Sequence, residues 1–406
     1  MISPVIPPQR ATEDLALVVG GESVSQNTDG AIAVLPRDTQ QISAILRYAT
    51  KNGLTVDPQG GGTKQRWGSC AVPNIRLCLS RLNRVLDHPW QDLTCTVQAG
   101  CTWASLQQSL AKHGQFVALD PLFSDHAATV GGIIATNDSG SLRQRYGSLR
   151  DLVIGMTLVL PDGTIAKTGG RVVKNVAGYD LSKLMTGSLG TLAVITEANF
   201  RLHALPQHAR TFTVTAPDAI RLAPLLARIR GSHLIVQSLQ LRRNKTEANL
   251  DICISSHPAA QQDALLEEMA RSEGLASQEI SEGFCFERES LLAGSSTFLR
   301  VSTLPTNVCA FADELQRVAS RVDVVSISQG IGLHDVSLRG SSDEIADAIR
   351  QIRAKGSTTV TVLQSDPAVD TTSFTIPAPV MSVMRAIKHN FDPGGILGPG
   401  KFFAKA

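Results

Sequence analysis

The chain has 406 residues, of which 43% are hydrophobic and 18% charged. With a mean hydropathy of +0.03, that balance excludes wholesale disorder and low-complexity or collagen-like architectures, and it leaves room for two or three domains. The 38 Lys and Arg nearly cancel the 36 Asp and Glu, so nothing points to a nucleic-acid or anionic-membrane surface. No apolar run approaches the roughly 18–20 residues of a membrane span, and MISPVIPPQRATED lacks the apolar core of a signal peptide. Seven cysteines form no CxxC and no zinc pattern. The expectation is a cytosolic protein with unpaired thiols.

In chain order, residues 31–63 read as strand, helix, strand and glycine loop. The helix places Ile42, Ile45, Leu46 and Ala49 on one face. Asp38 or Thr39 is its N-cap and Gly53 its C′ residue. Short strands follow near 75–79, 82–88 and 93–99, and Thr102 starts a helix that ends at Gly114. Residues 152–168 read as a hairpin turning at Pro161-Asp162-Gly163. Past Leu205-Pro206 the order becomes strand (211–215), helix (218–230), strand (233–242), strand (249–255) and helix (258–273). It then repeats as strand (298–303), helix (306–319), strand (322–328), strand (333–338), helix (342–354) and strand (359–363). Two such units predict one antiparallel sheet with helices packed on one side, an α+β layer. The segment from Pro379 to Phe402 reads as a helix followed by a Pro/Gly-rich turn.

Familiar nucleotide and metal signatures are absent from this sequence: no GxGxxG after a strand, no GK[ST] in register, no HExxH and no GxSxG. Glycine is concentrated in three places instead. Pro58-Gln59-Gly60-Gly61-Gly62-Thr63-Lys64 follows an apolar strand, and its backbone can aim successive N–H groups at a pyrophosphate; taken alone it is equally a tight turn. Ala128-Thr129-Val130-Gly131-Gly132-Ile133-Ile134-Ala135-Thr136-Asn137, continuing to Ser141, alternates small residues with hydroxyl and amide groups. That pattern lets a flat ring lie against the backbone, or lets a helix pack closely. Gly187-Ser188-Leu189-Gly190-Thr191 then feeds an alternating strand through Ile195.

The order and spacing of these three segments resemble the FAD-binding domain of the vanillyl-alcohol-oxidase type, also called PCMH-type, over residues 28–205. Lys174-Asn175-Val176-Ala177-Gly178-Tyr179-Asp180-Leu181-Ser182-Lys183-Leu184-Met185 is similar to the FAD-binding small subunit of bacterial glycolate oxidase (glycolate dehydrogenase). Asp392-Pro393-Gly394-Gly395-Ile396-Leu397-Gly398-Pro399-Gly400-Lys401 resembles the superfamily's closing D-P-x-x-I-x-N-P-G-K, with Gly398 where Asn is usual.

The resemblance implies an α+β protein: a PCMH-type FAD-binding domain (28–205), an α+β cap domain with an antiparallel sheet (206–375), and a segment (376–406) returning to the FAD domain. It implies that Pro58, Gln59, Gly60, Gly61, Gly62, Thr63 and Lys64 cradle the FAD pyrophosphate. Thr129, Val130, Gly131, Gly132, Ala135, Thr136, Asn137 and Ser141 would line the ribityl chain and flavin edge. Gly187, Gly190 and Ile195 would hold the adenosine end. Relatives that bind flavin covalently carry His where this chain has Thr63, so the FAD is expected to be non-covalent. Implied partners are a larger FAD-containing glycolate oxidase subunit and an iron–sulfur subunit, with membrane association only through them. The implied reaction oxidises glycolate, a 2-hydroxy acid, to glyoxylate; the alternatives are a self-sufficient oxidoreductase acting on a hydroxy acid such as D-lactate, or a structural or electron-relay flavin subunit. Catalytic relatives carry a His-rich metal segment in the cap, whereas this chain has only Gly330-Ile331-Gly332-Leu333-His334-Asp335, and His334 reads as a hydrogen-bonded structural histidine. Arg143, Arg145, Arg242 and Arg300 are candidate carboxylate partners, and the catalytic base stays unassigned. No metal is expected.

Overall fold

The capping signals read from the sequence are satisfied in the computed structural model, which describes all residues except 1–5, 69–70, 125–126, 171–179, 256–258, 281–287, 290–294, 296, 356–357, 367, 370–377 and 402–406. Helix α1 is Pro8–Val19 and α2 is Thr39–Asn52. Asp38 caps α2 by accepting from the Gln41 N–H at 2.8 Å. Gly53 ends it in the left-handed conformation that costs glycine nothing. Ile42, Ile45, Leu46 and Ala49 are fully buried.

Contacts divide the chain into two units: 1–138, 148–205 and 376–406 in the first, and 139–147 with 206–375 in the second. The short excursion 139–147 joins the second unit through side chains. The Tyr146 hydroxyl meets Gln237 Oε1 at 2.6 Å, and the Ser139 carbonyl accepts from Gln329 Nε2 at 3.0 Å and Arg288 Nη2 at 3.1 Å.

In the first unit, β1 (Val24–Gln26), β2 (Ile32–Val34), β3 (Val56–Gln59) and β4 (Ile75–Cys78) form a sheet in the order β1-β2-β4-β3. Pairings β2–β4 and β3–β4 are parallel. A second sheet runs β5-β6-β10-β8-β9, with β5 Val85–Asp87, β6 Thr94–Gln98, β8 Val153–Val159, β9 Ile165–Gly169 and β10 Val194–Arg201; β7 (Gln115–Phe116) pairs separately with β11 (His203–Ala204). One apolar cluster joins α1, α2 and both sheets.

In the second unit, β12 (Ala209–Ala216), β13 (Val236–Arg243), β14 (Ala248–Ser255), β15 (Ser277–Ile280), β16 (Thr297–Ser302), β17 (Asp323–Gln329), β18 (Leu333–Arg339) and β19 (Thr359–Gln364) make one antiparallel sheet. Its order is β15-β12-β14-β13-β17-β18-β16-β19, so the two repeats meet where β13 pairs with β17. Strand alternation sends Leu239 and Leu241 into an apolar cluster with residues of the helices 223–230 and 308–318. The same alternation puts Gln240 and Arg242 on the opposite face. Cys78, Cys95, Cys101, Cys253 and Cys309 are free thiols; Cys70 and Cys285 lie outside the described residues. No helix among the described residues is long and apolar enough to cross a membrane.

Candidate functional site

Strand β3 runs directly into the glycine loop, and what surrounds the loop explains its composition. A Cβ at Gly60 would sit 2.0 Å from Thr129 Oγ1, and one at Gly61 would sit 1.6 Å from the Ala127 carbonyl oxygen. Gly62 adopts φ +74°, a left-handed conformation that L side chains avoid. The loop is therefore pressed against the 127–129 segment, and no residue with a Cβ fits at Gly61 without moving one of them.

The 127–137 stretch contains helix α4 (Val130–Thr136); the helix Trp103–Ala111, α3, precedes it in the chain. The Thr129 side chain caps α4 through the Gly132 N–H. Backbone bonds from Val130 N–H to Cys101 O (2.9 Å) and Gly131 N–H to Ala99 O (2.8 Å) hold its first turn. A Cβ at Gly131 would meet the Ala99 Cβ at 2.9 Å, so this glycine serves close packing. Asn137 closes α4 at φ +48°, bonded to Ile133 and Ile134 carbonyls. At that end Gly187 N–H donates to Ile134 O and Leu189 N–H to Ala135 O. Three segments distant in sequence thus converge on α4.

They line a cleft that is open to solvent. Pro58 to Lys64, Thr129, Gly131, Gly132, Ala135, Thr136, Gly190 and Ile195 line it. Val130 is fully buried in the wall. Asn137 and Gly187 pack on each other at the far end of α4. Ser141 is buried and belongs to the second unit. The wall also contains Gln65, Trp67, Leu79, Leu189 and Lys401, which sequence reasoning did not select. Gln65, Trp67 and Leu189 stand near the glycine runs and Lys401 in the closing D-P-G-G motif, whereas Leu79 carries no such signal.

Two lysines stand in this wall, each tied to a buried carboxylate. Lys64 Nζ lies 3.0 Å from Asp138 Oδ2 and donates to the Leu122 carbonyl at 2.9 Å, with the Phe123 and Trp67 rings 5.7 and 5.9 Å away. Lys401 Nζ lies 2.7 Å from Asp57 Oδ1. Gly398, where the superfamily usually has Asn, sits at φ +57°; this is the region that Gly and Asn share. Of KNVAGYDLSKLM, residues 174–179 lie outside the described residues; Asp180 caps the helix Leu181–Met185.

Residues 30–169 match the family FAD_binding_4, described as an FAD binding domain. That match takes in the glycine loop and α4. Over 92% of its length the chain is 27% identical to the glycolate oxidase subunit GlcD of Bacillus subtilis, covering 88% of that protein. It is 36% identical to the mitochondrial D-lactate dehydrogenase [cytochrome] of Arabidopsis thaliana, over 53% of this chain and 40% of that one. The Saccharomyces cerevisiae enzyme of that name is 38% identical over 48% of the chain and 33% of its own length. The chain therefore spans less than half the length of these D-lactate dehydrogenases. Among solved structures, p-cresol methylhydroxylase with substrate bound superimposes at a TM-score of 0.77, with 15% identity, over 98% of this chain and 97% of its own. The 4-ethylphenol oxidase from Gulosibacter chungangensis superimposes at 0.74, with 18% identity, over 97% of this chain and 96% of its own. The fold is the PCMH-type fold that the glycine segments predict.

The residues present fit FAD. The glycine loop is bare of side chains where a diphosphate needs backbone N–H groups. The Asn137 side-chain oxygen is buried with no protein partner.

His334, on β18, is fully buried; Nδ1 meets Ser328 Oγ at 2.7 Å and Nε2 meets Thr303 Oγ1 at 2.9 Å. Burial pushes its pKa down to about 4, against a smaller upward pull from Asp335. It is the hydrogen-bonded structural histidine that the sequence suggests. Among the described residues, no three His, Cys, Asp or Glu side chains form a group that could hold a metal ion.

Proposed function

We propose that this chain is an FAD-binding subunit of an oxidoreductase that converts a 2-hydroxy acid, glycolate first, to the 2-oxo acid. Electrons would leave through an iron–sulfur partner after passing a larger FAD-containing subunit. The observation that carries the reading is the extent of the likeness to GlcD, which is named as a subunit and is matched over 88% of its length. Likeness to D-lactate dehydrogenases, over about half of the chain, supports the same substrate class and keeps a self-sufficient D-lactate-type enzyme as the second reading.

In this proposal the N–H groups of Gly60–Gly62 hold the diphosphate. Thr129, Gly132 and Thr136 border the ribityl chain and ring edge, and Gly190 with Ile195 borders the adenosine. FAD, when bound, supplies the acceptor for a hydride from the substrate α-carbon. The chain's own residues must orient that carbon, hold the carboxylate and take up the hydroxyl proton. Thr63 stands where covalent relatives place His, so the FAD is held without a bond to the protein.

The test is anaerobic stopped-flow reduction of the bound flavin by glycolate and by D-lactate, with and without the partner flavoprotein, whose own flavin is replaced by a redox-silent analogue. The subunit reading expects reduction at least ~100-fold slower in the isolated chain, about 2.7 kcal/mol of lost transition-state stabilisation. Equal rates in both samples would establish the self-sufficient enzyme instead.

A further inference from the structure

Strand β3 lies at the edge of its sheet, yet that edge is paired by residues more than 300 positions further along the chain. Val56 N–H donates to the Ile396 carbonyl at 2.7 Å, and Gly398 N–H donates to the Val56 carbonyl at 2.9 Å. Val56 and Leu397 form a parallel bridge. The buried Asp392 shapes this covering turn by accepting from Ile396 N–H (3.1 Å) and Leu397 N–H (2.8 Å). Lys388 Nζ reaches the same carboxylate and the carbonyls of Thr191 (2.7 Å) and Leu397 (3.0 Å).

The next residue on β3, Asp57, is 1% exposed. One of its oxygens faces Lys401 Nζ at 2.7 Å, and the other accepts from Gln65 Nε2. Asp57 stands immediately before the loop Pro58–Lys64 and Gln65 immediately after it, so one carboxylate ties the two ends of the glycine loop together. Lys401, itself in the cleft wall, holds that carboxylate.

Glycine loses more freedom on ordering than any other residue, so a run of three presents a fixed set of N–H groups only when its ends are fixed beforehand. A buried ion pair adds little stability over a neutral pair of similar size, which makes loop geometry the better account of this one. We infer that Lys401, acting through Asp57, is a positioning residue for the cofactor loop, and that the 392–401 segment pre-forms the cleft for FAD. The inference rests on reading the cleft as an FAD site.

The test uses the full-length apoprotein and FAD as the probe. The double variant Asp57→Asn/Lys401→Met removes both charges of the pair together. Its melting temperature without FAD should stay within a few degrees of wild type, while fluorescence titration shows FAD binding weakened about tenfold or more. Lys401→Arg, which can still bridge to Asp57, should bind within about threefold of wild type. Wild-type affinity in the double variant would overturn the inference. So would equal losses in Lys401→Arg and Lys401→Met, which would mark a shape requirement rather than an ion pair. Failure of the wild-type apoprotein to bind FAD would instead remove the reading of the cleft on which the inference stands.

Discussion

Replacing Gly61 by alanine adds one methyl group at the most crowded point of the cleft. The new Cβ would stand 1.6 Å from the Ala127 carbonyl oxygen and 2.5 Å from its carbon. Relief needs a separation of more than 3.0 Å, so the glycine loop or the 127–129 segment must retreat by about 1.5 Å. Both line the cleft, so either movement displaces the wall to which the proposed function assigns FAD. Overpacking of this kind costs about 1–3 kcal/mol, and restoring the wall on binding should weaken FAD by about 100-fold, equivalent to ~2.7 kcal/mol. Gly62→Ala is the matched control. Its Cβ would meet only the end of the Gln59 side chain, at 3.0 Å, but at φ +74° it carries about 1–2 kcal/mol of strain. That strain is present with and without FAD, so Gly62→Ala should lower the melting temperature while changing FAD affinity less than about threefold. Titration of the two apoproteins with FAD, followed by flavin fluorescence, separates the effects. A Gly61→Ala protein that binds within threefold of wild type would refute the steric argument. Gly61→Asp adds a like charge beside the diphosphate, a further cost of about 4 kcal/mol at ~4 Å and an effective dielectric of ~20.

The His334 pKa of about 4 lies below the ordinary value of about 6.5, so the unfolded chain binds the proton first as pH falls. Its contribution is fully present above pH ~6.5, drains away between 6.5 and 4, and changes no further below; the loss is on the order of 3 kcal/mol. Urea midpoints at pH 7.5 and 4.5 should show a smaller pH difference for His334→Asn than for wild type, and equal differences would contradict this account. Asp335→Asn removes the charge that faces Arg288 Nε at 3.1 Å and Arg300 Nε at 2.9 Å. Removing the carboxylate that two arginines share, one of them 2% exposed, should cost about 3 kcal/mol; an unchanged urea midpoint would show that the pairs are not coupled to folding. Acid precipitation of the holoprotein should release FAD into the supernatant, and flavin remaining on the polypeptide would disprove the inference from Thr63.

The elements most legible in the sequence are those whose pattern is local. Helix α2 is announced by Asp38, Gly53 and a 3.6-residue apolar stripe, and the long strands of the second unit are announced by alternation such as Leu239 and Leu241 against Gln240 and Arg242. Strand β15, only Ser277–Ile280, escapes because four mostly polar residues carry no period. The N-terminal helix escapes too, although Ala11, Leu15 and Val19 form its buried stripe. Helix α4 is legible as a run of small residues that suits either a flat-ring surface or a closely packed helix; Gly131 and Gly132 lower the helix propensity, and contact with Ala99 outweighs that. In the cleft, the glycine loops show themselves because only glycine tolerates such crowding. Lys401 does not, because its meeting with Asp57 spans 344 positions.

What the second unit does with its charges favours the subunit reading over the self-sufficient one. A 2-hydroxy acid needs a cation for its carboxylate and a base for its hydroxyl, both held in place before the hydride leaves. Arg242 already forks onto Asp251, at 2.6 and 2.9 Å, and Asp251 also accepts from Thr213 Oγ1 at 2.7 Å. Arg300 shares Asp335 with Arg288, and Arg145 lies 5.7 Å from the Tyr146 ring. A substrate carboxylate would have to share Arg242 with Asp251, a carboxylate that is 1% exposed. His334 is equally committed, with both ring nitrogens engaged and a pKa of about 4 that makes it a weak base at neutral pH. Arg242 and Arg300 pair with buried aspartates of the same sheet and His334 with two hydroxyls, so the proposed reading looks to groups other than these three for the substrate's carboxylate and proton.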